Sequence, residues 1–228
     1  MPAEFDNYAE KYSELLRDPI RDKFAGNPDF FHARKAVLIT RHLQRRNFPL
    51  AQASWLDVGC GKGELLHLAG GSFGRAVGCD PSMEMHRESS GGIYHQSSAT
   101  RLPFPDASHD FITAVCVYHH VEEPDRIPLT REIHRVLRPG GIMCMIEHNP
   151  FNPVTQLIVK RTPVDANARL LTASRAWGYM RRCGFAAAGL TYFLYLPEKL
   201  YARAGALENW FTRIPLGGQY AAFGQKAR

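Results

Sequence analysis

The sequence predicts an α/β fold built on a largely parallel sheet. Two observations carry this. Short apolar runs bounded by turn residues alternate with segments of helical period, and the first of those runs ends in a glycine-rich turn that opens a helix. The 228 residues, 45% of them hydrophobic, suffice for one core and one domain spanning 1–228.

Up to Phe48 the chain reads as two helices. Phe5, Tyr8, Ala9, Tyr12, Leu15 and Leu16 recur near helical spacing, and Asn27-Pro28 opens a second helix carrying Phe30, Phe31, Val37, Leu38 and Leu43. Residues 54–58 and 75–79 are then strand-like, the second ending in Asp80. A weaker run at 93–95 follows a Gly91-Gly92 turn, and further runs cover 110–118 and 141–147. Such short apolar runs fit buried parallel strands. Between them, helices are predicted over 63–69 and 126–137, the latter stopped by Arg138-Pro139-Gly140-Gly141. A proline-rich stretch at 149–171 is a candidate substrate-facing insertion. A helix over 172–183, capped by Thr172 and ended by Gly184, precedes a strand at 186–195, a helix at 197–213 and a strand at 219–223.

Bulk properties exclude several classes. No apolar run is long enough to cross a bilayer, and the first residues lack a basic region followed by an apolar core, so the default compartment is the cytoplasm. The five cysteines form no C-x-x-C pair, which argues for reduced structural thiols. The net charge of +6 is dispersed in doublets such as Arg45-Arg46 and Arg181-Arg182, not gathered in a stripe. Nucleic acid is therefore disfavoured as a partner.

The chemistry starts at Asp57-Val58-Gly59-Cys60-Gly61-Lys62-Gly63. Glycines there let the backbone turn tightly and approach a ligand. Asp80 follows about 20 residues later at the next strand end, where a carboxylate can accept from both ribose hydroxyls or simply cap the turn at Pro81. The third glycine is spaced wrongly for a dinucleotide fingerprint, no phosphate loop is present, and Glu64 would repel a pyrophosphate. A nucleoside without phosphate suits the pattern.

Leu56 to Gly63 resembles the glycine motif of class I S-adenosylmethionine (SAM)-dependent methyltransferases, and Gly78-Cys79-Asp80-Pro81-Ser82 resembles their acidic ribose motif. Ala99 to Asp106 resembles their adenine segment, Phe111 to His120 the fourth strand, and Glu132 to Gly141 the helix and turn before the fifth. The order and spacings agree over about residues 50–148. Glu147 to Pro153 and Pro215 to Ala221 resemble a bacterial subgroup whose substrates are mostly unassigned.

The resemblance implies a Rossmann-like open sheet of seven strands, mostly parallel, with helices on both faces and an antiparallel last strand. It implies SAM as cofactor, with Asp57, Gly59, Cys60 and Gly61 around the methionine part and Asp80 with Pro81 at the ribose. Ser98, Ala99 and Leu102 would meet the adenine, with the Cys116 carbonyl at its amino group. Ser98 departs from the aspartate common in relatives, a weaker acceptor. Residues 1–48 would form a helical lid in which Tyr12 touches the cofactor.

On the acceptor side, His119 and His120 follow the fourth strand, and Glu147 and His148 follow the fifth. Histidine titrates in the range useful to a general base, and His148 is the first candidate; each could instead brace a loop. The ligand spacing is too loose to predict a metal. The expected function is methyl transfer to an oxygen or nitrogen of a small-molecule acceptor. A SAM-binding sensor or scaffold and an RNA or protein methyltransferase are the rivals. The aromatic stretch from Tyr192 to Phe211 offers ordinary packing, an acceptor wall, a membrane-resting face or a homodimer face.

Overall fold

The computed structural model describes residues 4–85 and 92–228. Seven strands form one sheet: β1 Ser54–Val58, β2 Arg75–Asp80, β3 Ile93–His95, β4 His109–Val115, β5 Leu137–His148, β6 Phe185–Phe193 and β7 Gln219–Lys226. Their spatial order is β3-β2-β1-β4-β5-β7-β6. The first five run parallel, while β7 lies antiparallel between β5 and β6. This is the Rossmann-like sheet the resemblance implies, with its last strand reversed.

Strand alternation splits the interior into two cores. Leu56 and Val58, with Ile112, Ala114, Met143 and Met145, face one side and pack on residues of the helices at 123–136 and 173–182. Trp55, Phe111, Ile142, Cys144 and Ile146 face the other and meet Ile39, Leu43, Leu65 and Phe73. Trp55 is fully buried; its indole Nε1 donates to Thr113 Oγ1 at 2.8 Å, and that hydroxyl donates to Asp57 Oδ1 at 2.5 Å. One hydroxyl thus satisfies a core donor and passes a hydrogen bond on to a carboxylate at the strand tips.

The helices are α1 Tyr12–Leu15, α2 Pro19–Phe24, α3 Phe30–Arg45, α4 Glu64–Ala69, α5 Glu123–Val136, α6 Pro153–Arg161, α7 Ala173–Arg182, α8 Glu198–Ala204 and α9 Glu208–Phe211. The first expected helix is mostly 3-10 turns at Glu4–Asn7 and Ala9–Lys11 before the single turn of α1. An i, i+3 aromatic spacing satisfies such turns as well as it does an α-helix. The second helix is preceded by α2, which Asp18 caps through Oδ1 with Pro19 at its first position. The expected strand to Tyr118 stops at Val115 because Cys116 takes a left-handed φ of 58°. The last expected helix breaks around Gly205 into α8, a 3-10 turn and α9. Gly91 of the expected Gly91-Gly92 turn lies outside the described residues; Gly92 has the positive φ a turn needs, 82°. Among the described residues no helix is long and apolar enough to cross a membrane.

The N-terminal helices are fastened to the C-terminal third. Arg34 on α3 pairs with Glu208 on α9, both nearly buried, and its guanidinium lies 3.6 Å from the Tyr201 ring centroid. The other Glu208 oxygen accepts from the Tyr195 and Leu196 amides, at 2.9 Å each. Glu198 accepts from the Gly26 and Asn27 amides ahead of α3. Removing one member of a buried pair strands the other. Arg34→Met is therefore expected to cost about 3–5 kcal/mol, read as a lower urea midpoint, while Arg17→Met, at an exposed pair with Asp22, should change it little.

Candidate active site

The carboxyl ends of β1, β2, β4 and β5 converge on one rim, the place where open α/β sheets bind ligands. After β1 the chain makes a turn with Gly59 at φ 69°, Gly61 at 54° and Gly63 at 81°. Gly59 is also held by packing, since a Cβ there would lie 2.5 Å from Val117 Cγ2. Asp80 fixes this turn: Oδ2 accepts from the Gly61 amide and Oδ1 from the Ser82 amide, both at 2.8 Å. The Ser82 hydroxyl donates in turn to Asp6 of the N-terminal segment at 2.6 Å. Asp80 therefore caps the turn, the alternative to ribose binding that the sequence left open.

Asp57 lies beneath the turn, 3% exposed. Burial pushes its carboxyl up to about 7, against the bond from Thr113 and the charge of Lys35. Pro81 is exposed beside the turn. Along the next segment Ser98 is half-buried and its hydroxyl accepts from the Thr100 amide at 3.2 Å, Ala99 is exposed, and Leu102 is part of the core. Buried Gln96 donates to the Ser98 carbonyl at 2.9 Å. Cys116, at its left-handed turn, lies within reach of Lys35 Nζ (3.9 Å) and Gln219 Nε2 (3.4 Å). The Tyr12 ring lies tilted against Phe5, 6.3 Å between centroids; burial first, then the charges of Glu64, Cys116 and Asp165, raise its phenol.

The acceptor-side residues form one cluster. Glu147, fully buried, accepts from the Val117 and Tyr118 amides at 3.0 and 2.7 Å and from His119 Nδ1 at 2.5 Å. His119 Nε2 lies 3.5 Å from Asp165 Oδ1, and His120 Nε2 lies 3.3 Å from the same oxygen. Burial opposes charge on His119, but Glu147 and Asp165 outweigh it and hold the imidazolium up to about 10. Asp165 is held well below the usual carboxylate range, its burial outweighed by bonds from His119 and His120. His148 differs: burial, then the His119 charge, push it down to about 4, so it is neutral at physiological pH. Its Nδ1 lies 3.4 Å from Gln219 Nε2, and its ring centroid 5.1 Å from that of His119.

Sequence reasoning missed Thr113, Lys35, Gln96, Gln219 and Asp165. Thr113 and Lys35 left a signal, a hydroxyl and an ammonium on the inward face of a strand and of a helix. Asp165 left none, because only the tertiary path of the 149–171 segment brings it to the two histidines.

Residues 56–145 match the family described as "Methyltransferase domain". Over that segment the chain is similar to SAM-dependent methyltransferases. A Staphylococcus epidermidis demethylmenaquinone methyltransferase is 31% identical over 136 residues, which are 55% of this chain and 53% of that protein. An Arabidopsis thaliana tRNA (carboxymethyluridine(34)-5-O)-methyltransferase is 32% identical over 114 residues, 49% of this chain and 28% of that protein. The chain thus spans about half or less of the length of these curated relatives. The solved SAM-dependent methyltransferase of Thermotoga maritima covers 97% of this chain with 98% of its own, at 18% identity and a TM-score of 0.63, a likeness of fold.

The rim fits SAM, the cofactor that the resemblance implies. Three left-handed glycines open the backbone, Asp57 and Asp80 supply carboxylates, and Glu64 stands at the start of α4. Such an acidic set suits an amine and a sulfonium and repels a polyphosphate.

The raised Asp57 gives a pH signature. Its folded pKa, about 7, exceeds the unfolded value of 3.8, so the folded state holds a proton that the unfolded state releases. Its contribution to stability is therefore full below about pH 3.8 and falls as pH rises toward 7. Asp57→Asn should flatten the loss of thermal stability between about pH 4 and about pH 7, as followed by melting temperature without ligand.

Proposed function

We propose that the chain transfers a methyl group from SAM to an oxygen or nitrogen of a small-molecule acceptor. The observation that carries this is the adjacency of the Gly59–Gly63 turn, bridged to Asp80, and the buried histidine–carboxylate cluster on the same rim. SAM supplies the methyl group on a sulfonium; the protein supplies binding, alignment and exclusion of water.

In this reading Asp57 and the Gly59, Cys60 and Gly61 backbone hold the amino-acid end, and Asp80, with Pro81 beside it, holds the ribose. Ser98, Ala99, Leu102 and the Cys116 carbonyl border the adenine. Residues 1–48 act as the lid, a role supported by Asp6 accepting from Ser82 and by Phe5 lying edge-on to His120 at 4.9 Å. His148, neutral and half-buried, is the base, while Glu147 and His119 position the β4 end. A conjugate acid near pH 4 is a weak base, which suits a phenol or an amine better than an aliphatic alcohol. A small acceptor is favoured over RNA because the basic residues are scattered and the strand-tip cluster is buried.

Asp80→Ala removes the bridge to Gly61 and the ribose acceptor together. It should weaken SAM binding by at least about tenfold in calorimetry. His148→Ala should leave binding within about twofold while lowering methyl transfer by about 10²–10⁴, measured with radiolabelled SAM and phenol and amine libraries. Tight binding without labelled product from any class would favour a sensor.

A further inference from the structure

Two imidazoles and a carboxylate converge where β4 ends and the 149–171 segment folds back. His119 Nε2, His120 Nε2 and Asp165 Oδ1 all lie within 4.8 Å of one another. A zinc ion bonded at about 2.0 Å to tetrahedral ligands sets its donor atoms about 3.3 Å apart. The two edges that meet at Asp165 Oδ1 are 3.5 and 3.3 Å. Both edges to Asp165 thus stand near coordination spacing, and the third lies within 4.8 Å.

The surroundings are those of a ligand set. Histidine binds a metal as the neutral ring, so a metal at Nε2 of His119 would displace the proton that faces Asp165, and which nitrogen binds is fixed by the partner of the other. Glu147 takes His119 Nδ1 at 2.5 Å and directs Nε2 at Asp165. Glu147 is itself fixed by two backbone amides, and the His119 carbonyl accepts from the Arg169 amide at 2.8 Å. Arg126, 1% exposed, holds this frame through bonds to the Val121 and Arg169 carbonyls. Two carboxylates, Asp165 and Glu147, serve the two rings, so a dication is matched in charge.

We propose that His119, His120 and Asp165 form a binding site for a divalent first-row metal ion of the zinc class, with Glu147 orienting His119. Two nitrogens and one hard oxygen select zinc or its neighbours over magnesium or calcium, which prefer all-oxygen shells. Three protein ligands leave a fourth position open, as catalytic zinc sites do. That position takes water or an acceptor oxygen; the latter use rests on the transferase reading above, whereas the metal site does not.

Zinc binding by the full chain, without SAM, tests this directly. Competition against a chromogenic chelator should give micromolar or tighter affinity, and cobalt should produce the intense visible absorption of a four-coordinate ion. His120→Ala and Asp165→Ala should each weaken zinc by at least about 100-fold, and Glu147→Gln by about 10–100-fold. X-ray absorption of the zinc-loaded wild-type chain covers the case in which a variant fails to fold. It should show two imidazoles and oxygen without sulfur. Affinity weaker than millimolar, binding unchanged in Asp165→Ala, or a sulfur ligand from nearby Cys116 would overturn the proposal. SAM calorimetry on the metal-free chain separates the two readings: loss of SAM binding with zinc retained sinks the transferase and leaves this site standing.

Discussion

A buried carboxylate organises the working end of the molecule. Glu147 sits at the end of the long fifth strand with no exposed surface, and its two oxygens receive two backbone amides and a ring nitrogen from the loop after β4. An ionised carboxylate without water is stable only when every donor is in place. The loop has therefore little freedom: Val117, Tyr118 and His119 must present themselves in one conformation. Val117 in turn closes over Gly59, so that anchor also limits the shape of the turn on the neighbouring strand.

A second link runs vertically, from core to rim. Trp55 packs on one face of the sheet, hands a hydrogen bond to Thr113, and Thr113 hands one to Asp57. Packing that fixes the indole also fixes the carboxylate beneath the turn. Asp80 works laterally in the same way, tying the Gly61 amide to the Ser82 amide and, through Ser82, to Asp6. The site is thus rigid where it rests on the strands, while the residues covering it arrive from elements far away in the chain.

The sheet and its turns were legible in the sequence because apolar period and glycine spacing are local signals. Gly59, Gly61 and Asp80 were singled out by spacing, and Cys116 only through the resemblance. Boundaries were less legible: the strand ending at Val115 stops because Cys116 turns left-handed, which composition does not announce. Least legible was the chemistry assembled across distance. His119 and Glu147 are 28 residues apart and meet only because β4 and β5 pair in register, and Asp165 joins them from the short 3-10 turn after α6.

The placement of β7 bears on how the chain is made. It is the last strand in sequence yet lies between β5 and β6, hydrogen-bonded on both sides. During vectorial synthesis β5 and β6 therefore emerge with facing edges that nothing yet fills. An apolar strand such as β5, waiting with unpaired amides, is a template for intermolecular association. Expression yield of this protein should therefore depend on chaperone capacity during translation, and slow elongation through the β6–β7 connection would lengthen the hazardous interval.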